Sequence, residues 1–216
     1  MSESPYRWGG ACGIAYVVLV IAGHVVAGAP GEAGASDKEL LDFYNDSANQ
    51  WRVWAGTLLI GIGAPAFICY LVVLCGRLTT EGAWPPAVWI AFASGIAFLV
   101  VDELGAAIGG AVAAAFVYSG ELSRIADAET VRVLLVLGNH WLSGLASVMA
   151  APLVVAVSLE ARRRALMPSW LAWAGLVLGS LLLLSQLAFI GIPILAWVLA
   201  TAVWLLLSPR LDAATS

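Results

Sequence analysis

Long apolar stretches recur along the whole chain and restrict its folding more than any other feature. The run from Val53 to Gly76 holds no Asp, Glu, Lys or Arg, and about 20 apolar residues are what an α-helix needs to cross a hydrocarbon core about 30 Å thick. Similar runs cover Trp8 to Gly28, Val88 to Tyr118, Val133 to Leu159, Trp170 to Ala188 and Pro193 to Leu207. Inside a bilayer every backbone N–H and C=O must be satisfied within the protein, which a helix does by itself. The expectation is an all-α, polytopic membrane helix bundle. Six transmembrane helices and one short external amphipathic helix would form a single integral-membrane domain over residues 1–216. Composition agrees: 62% of residues are hydrophobic and 11% charged, against about 45–50% and about 25% in soluble domains. An ordinary soluble fold is excluded.

The first run ends in Ala27-Gly28-Ala29, which superficially matches a signal-peptidase site. It is longer than the core of a signal peptide, and Pro30 follows the cut point, so it reads as a retained helix. The last run is the weakest, because Pro193 to Leu207 reaches only about 22 Å at 1.5 Å per residue. Between the last two runs, Gly191-Ile192-Pro193 reads as a turn, with Pro193 suited to the first turn of a helix. In the segment from Ala29 to Gln50, Ser36-Asp37-Lys38-Glu39 has the capping-box pattern ahead of Leu40, Leu41, Phe43 and Tyr44, which predicts a short helix with Leu40, Phe43 and Tyr44 inward. Ser119 to Thr130 is polar and reads as a solvated connector.

Arg162, Arg163 and Arg164 form the densest basic cluster, and short basic loops stay in the cytoplasm. With six spans this puts Arg7, Arg77 and Arg210 on the same side, and Lys38, Arg52, Arg124 and Arg132 outside. Both termini are then cytoplasmic, in a bacterial inner membrane. Trp8, Trp84, Trp89, Trp170, Trp173 and Trp204 fall near the cytoplasmic edge, and Trp51 and Trp54 near the outer one, as an aromatic belt requires. Trp141 and Trp197 lie deeper. Gly9-x-x-x-Gly13, Gly105-x-x-x-Gly109 and Gly175-x-x-x-Gly179 allow close helix packing, within the chain or in a homo-oligomer. Pro65 and Pro152 fall in mid-span and predict bends. Cys12, Cys69 and Cys75 read as small buried hydrophobes. With a formal net charge of −4 and no basic tail, nucleic acid is not a partner; membrane lipid is.

Charged side chains at membrane depth cost about 2.5–3.5 kcal/mol on insertion scales and face the bundle interior. Asp102 and Glu103 are such residues, with no Lys or Arg at similar depth. Successive helix positions point about 100° apart, so at most one of them faces the centre of a site. A neutral carboxyl is the cheaper form there, able to donate a proton or to hold two helices together by a hydrogen bond. Asn139-His140-Trp141 on the fourth helix and His24 on the first add polar groups in the same outer half. Gln186 adds one on the fifth. The same residues suit packing as well as chemistry.

Three chemistries fit these residue types. His24, His140 and one acid could form a two-His, one-carboxylate metal site, and His24 with His140 could ligate haem. Acid-initiated chemistry on an apolar small-molecule substrate needs neither cofactor nor metal. In that reading Asp102, Glu103 and His140 are the catalytic groups, while Trp141, Asn139 and His24 contact the substrate. A proton- or cation-coupled transport or accessory protein, and a structural membrane subunit, are the rivals from other classes.

Arg7-Trp8-Gly9-Gly10, Glu39-Leu40-Leu41-Asp42-Phe43-Tyr44 and Met167-Pro168-Ser169-Trp170-Leu171-Ala172-Trp173 resemble the corresponding segments of a family of uncharacterised bacterial six-helix small membrane proteins. The resemblance extends over nearly the whole chain and implies a fold and a location, not an activity. In size, helical membrane character and tryptophan content the chain is also similar to small integral-membrane terpene cyclases. That likeness implies a reaction class, the acid-initiated carbocation cyclisation of an isoprenoid.

Overall fold

The computed structural model describes residues 4–28, 35–79, 84–119, 127–184 and 192–214. Among them there is helix and no strand. In chain order the elements are α1 (Ser4–Ala27), α2 (Asp37–Asn45), α3 (Ser47–Arg77), α4 (Pro86–Ser119), α5 (Ala128–Leu135), a π-helical segment (Val136–Leu142), α6 (Ser143–Arg163), α7 (Ser169–Leu182) and α8 (Ile192–Ala214). Gln186, Gly191, Arg124 and the tips of both loops predicted to lie outside fall beyond the described residues.

Four helices are long and apolar enough to cross a membrane: Pro5–Ala27, Ser47–Arg77, Pro86–Ser119 and the continuous Ala128–Arg163. The other two apolar helices, Ser169–Leu182 and Pro193–Leu207, are shorter. The long helices carry large apolar side chains on their outer surfaces as well as inside, among them Ile21, Val25, Leu58, Ile62, Val100 and Leu104. A helix apolar all round belongs in lipid or in a large core.

The chain divides into two compact units, and the division falls inside all four long helices. One unit comprises Met1–Val17, Ala64–Val100 and Gly144–Ser216. Within it Gly9 and Gly13 of α1 meet Val73 and Tyr70 of α3, and Gly10 meets the Ala202 carbonyl and Leu206 of α8. Phe67 packs against Tyr16 and edge-to-face against Phe98, with ring centroids 4.8 and 5.4 Å apart. A buried hydrogen bond of 2.5 Å joins Tyr70 Oη to Thr201 Oγ1. Gly175 and Gly179 of α7 lie against Ser158, Ala151 and Val155 of α6. Trp204 is buried, unlike the belt residue its position predicts, whereas Trp8, Trp89, Trp170 and Trp173 are exposed. The cysteines do not share one environment: Cys75 is buried, Cys12 half-buried and Cys69 exposed.

The second unit comprises Val18–Gly63 and Val101–Ser143. The Ser36 side chain accepts from the Glu39 N–H while the Glu39 carboxylate accepts from the Ser36 N–H, so the predicted capping box forms and starts α2. Leu40 and Tyr44 are buried in an apolar cluster with Val53, Ala113, Ala128, Val131 and Leu135, and Phe43 packs against it. Arg132 of α5 ties down the start of α2, donating to Asp37 Oδ1 at 2.6 Å and to the Ala35 carbonyl at 3.1 Å. Trp51, Trp54 and Tyr118 form an edge-to-face series.

Candidate functional site

The buried-acid site lies in the second unit, at the crossing of α4 with α3 and with the π-helical segment. Two glycine contacts define it. On α4, Gly105 and Gly109 let the backbone of Gly138 approach so closely that a Cβ on Gly138 would lie 2.6 Å from the Gly105 carbonyl oxygen and 2.5 Å from the Gly109 nitrogen. The Asn139 amide occupies the space that a Cβ on Gly109 would fill. Gly105-x-x-x-Gly109 is thus filled by the chain's own backbone, as the other two Gly-x-x-x-Gly pairs are by helices in their unit. On the next face of α4, Gly110 receives Thr57 of α3, and a Cβ on Gly61 would lie 3.7 Å from Glu103 Oε2.

Helical spacing sorts the two acids between these faces. Asp102 precedes Gly105 by three residues and Gly109 by seven, the spacing of one helix face, so it belongs to the side of α4 that meets the π-helical segment. Glu103 precedes Gly110 by seven and belongs to the side that meets α3. Both acids are half-buried. Glu103 Oε1 is buried and has no hydrogen-bond partner among the described residues, and neither acid has an ion pair there.

Sequence adds one further feature at Glu103. Pro65 lies four residues after Gly61 in α3, and with no N–H it cannot return the usual helical bond to the Gly61 carbonyl. A carbonyl relieved of its helical donor and a carboxyl with a buried oxygen therefore belong to the same turn-to-turn contact. A protonated Glu103 carries the donor such a carbonyl accepts.

The remaining predicted residues are placed differently. His140 is half-buried; it lies two residues beyond Gly138, roughly half a helical turn away from the side that meets α4. Its Nδ1 is buried. Trp141 is 65% exposed, Asn139 is exposed apart from its reach to Gly109, and His24 is exposed on α1. Among the described residues no three of His, Cys, Asp and Glu gather as a metal-binding group. The π-helical turn itself, Val136–Leu142, was not predicted; such turns are frequent at functional sites. Its only trace in the sequence is Gly138 within an apolar run.

Comparison with protein-family models, with curated proteins and with solved structures finds no match for this chain.

Proposed function

We propose that this is a multi-pass membrane protein that works by reversible protonation of the Asp102–Glu103 pair, coupling proton exchange to movement of a small cation or solute. The observation that carries the reading is the buried, unpartnered Glu103 Oε1 beside Gly61. An intramembrane acid without a cation has to be neutral or find donors, so its charge state and the fit of α3 on α4 are coupled. A neutral Glu103 can bridge to the Gly61 carbonyl, and an ionised one repels that carbonyl. Proton loss therefore loosens the contact at the very position where Pro65 already weakens α3.

The test is reconstitution in liposomes carrying a pH-sensitive dye, with sodium, lithium or potassium added outside. Cation-dependent proton movement is expected with the natural chain and is lost in Glu103→Gln. Equal movement in Glu103→Gln and the natural chain refutes the reading.

Acid-initiated cyclisation of an isoprenoid is the second reading. It rests on the same carboxyl, set between apolar helices that keep water scarce. Formation of a cyclised product from a prenylated quinol, dependent on Asp102 or Glu103, would select it over transport.

The topology we propose has six crossings, with α7 and α8 as the short last pair, both termini in the cytoplasm and the chain in a bacterial inner membrane. Support comes from the interfacial anchors of the first unit. Arg162 stacks on Trp173 at 4.1 Å and Arg77 on Tyr6 at 4.8 Å, and Trp8, Trp89 and Trp170 of the same unit are exposed, a basic and aromatic set of the kind found at cytoplasmic interfaces. A reporter inserted after Lys38 should read outside; a cytoplasmic signal overturns the orientation.

A further inference from the structure

Outside the acid site, the other unit brings together two cysteines that lie far apart in sequence. Cys12 is on α1 and Cys69 on α3, and their thiols lie close enough to act on one another. The helices run antiparallel here: Gly13 meets Tyr70, and Tyr16 packs against Phe67. Cys12 and Cys69 immediately precede Gly13 and Tyr70, so they occupy one level of the same contact. Gly9 and Gly13 have no side chain to hold α1 away from α3, where a Cβ on Gly13 would lie 2.7 Å from the Tyr70 ring. Glycine-mediated approach is what allows two facing helices the short Cα separation, about 4.4–6.8 Å, that a disulfide needs.

Access separates this pair from the third thiol. Cys69 is exposed and Cys12 half-buried, whereas Cys75 is buried. Around Cys69 the outer surface of α3 is apolar, with Ile68 41% and Val72 46% exposed. A helix flank of that kind faces lipid in a spanning helix, so the reagent that reaches Cys69 is itself lipid-soluble. The chemistry also suits that solvent. A dithiol and a disulfide are both uncharged, so neither state places charge in a region where charge is costly.

We propose that Cys12 and Cys69 form a redox dithiol that closes to an intramolecular disulfide when it meets a membrane quinone. The S–S bond forms as both S–H bonds break. The two electrons and two protons go to the quinone, which leaves as the hydroquinone. The disulfide pins α1 to α3, and a reducing thiol reopens it.

The experiment uses the full chain in lipid nanodiscs with decylubiquinone as oxidant, followed by alkylation, peptide mapping and measurement of decylubiquinol. The expected result is a Cys12–Cys69 disulfide within one chain and one decylubiquinol formed per disulfide. Cys12→Ser and Cys69→Ser should each abolish both signals, and Cys75→Ser should leave both intact. Thiols that stay free with decylubiquinone overturn the proposal, even if copper phenanthroline oxidises them. A disulfide between chains, or one that includes Cys75, overturns it as well. The natural chain alone decides these outcomes, so a variant that folds poorly does not obscure them.

Discussion

Replacing Gly138 by alanine tests the close approach on which the acid site is built. The new Cβ would lie 2.5 Å from the Gly109 nitrogen, 2.6 Å from the Gly105 oxygen and 2.9 Å from the Gly109 Cα. All three are backbone atoms, so no side chain can swing away. Carbon atoms in contact settle about 3.5–4.0 Å apart, and the two backbones must therefore part by roughly 1 Å. Overpacking of this kind costs about 1–3 kcal/mol, and rigid backbone on both sides places Gly138 at the upper end. Alanine returns about 1 kcal/mol of helix propensity, which leaves a net loss of about 2 kcal/mol, or roughly a 30-fold fall in the ratio of folded to unfolded protein. The assay is unfolding by dodecyl sulfate in mixed micelles, followed by circular dichroism. Gly76→Ala is the control, because nothing lies within 4 Å of a Cβ there; it should be neutral or slightly stabilising. A Gly138→Ala protein as stable as the natural chain, or a Gly76→Ala protein equally damaged, would refute the reasoning.

Ala165 holds a φ of 51° just after α6, the left-handed position that glycine takes at helix ends. Ala165→Gly should therefore raise the unfolding free energy by about 1 kcal/mol, and a lower value would show that the turn is not strained. Tyr70→Phe removes the buried bond to Thr201, whose hydroxyl keeps the Trp197 carbonyl as acceptor. The loss should stay near 1 kcal/mol, and a loss several times larger would point to a wider network. The Glu39 carboxyl is held below the usual glutamate range by the Ser36 backbone N–H and then by the Ser36 hydroxyl. Its contribution to α2 is present at neutral pH and fades as pH falls through that lowered value. Amide exchange in Asp37–Asn45 should accelerate in acid relative to the rest of the chain, once corrected for intrinsic rates, and the acid sensitivity should vanish in Glu39→Gln, which cannot titrate.

Much of the architecture was legible because it depends on local properties. The charge-free run Val53–Gly76 lies within a single helix, and the run predicted over Val133–Leu159 lies inside the continuous Ala128–Arg163. An apolar stretch of that length has few ways to satisfy its backbone other than a helix. Ser36 and Glu39 announced α2, since a capping box needs only residues three apart. The glycine pairs announced close approach, and each is filled. The sequence likewise marked Asp102 and Glu103 as the costly charges and required them to face different ways.

Partners across the bundle were decided only by tertiary structure, because they depend on how helices distant in sequence are set against one another. Nothing local says that Gly61 meets Glu103, that Gly138 rests on Gly105 and Gly109, or that Cys12 lies beside Cys69. The same holds for the side chains that turned outward. Trp141 read as deep from its position along the helix, but depth is a coordinate along the axis, and exposure is set by the angle around it. A π-helical turn shifts that angle for every residue that follows. The sequence therefore determined which segments are helical and where the polar groups lie along them. Only the packing, acting through glycine gaps about one side chain wide, decided which of those groups meet.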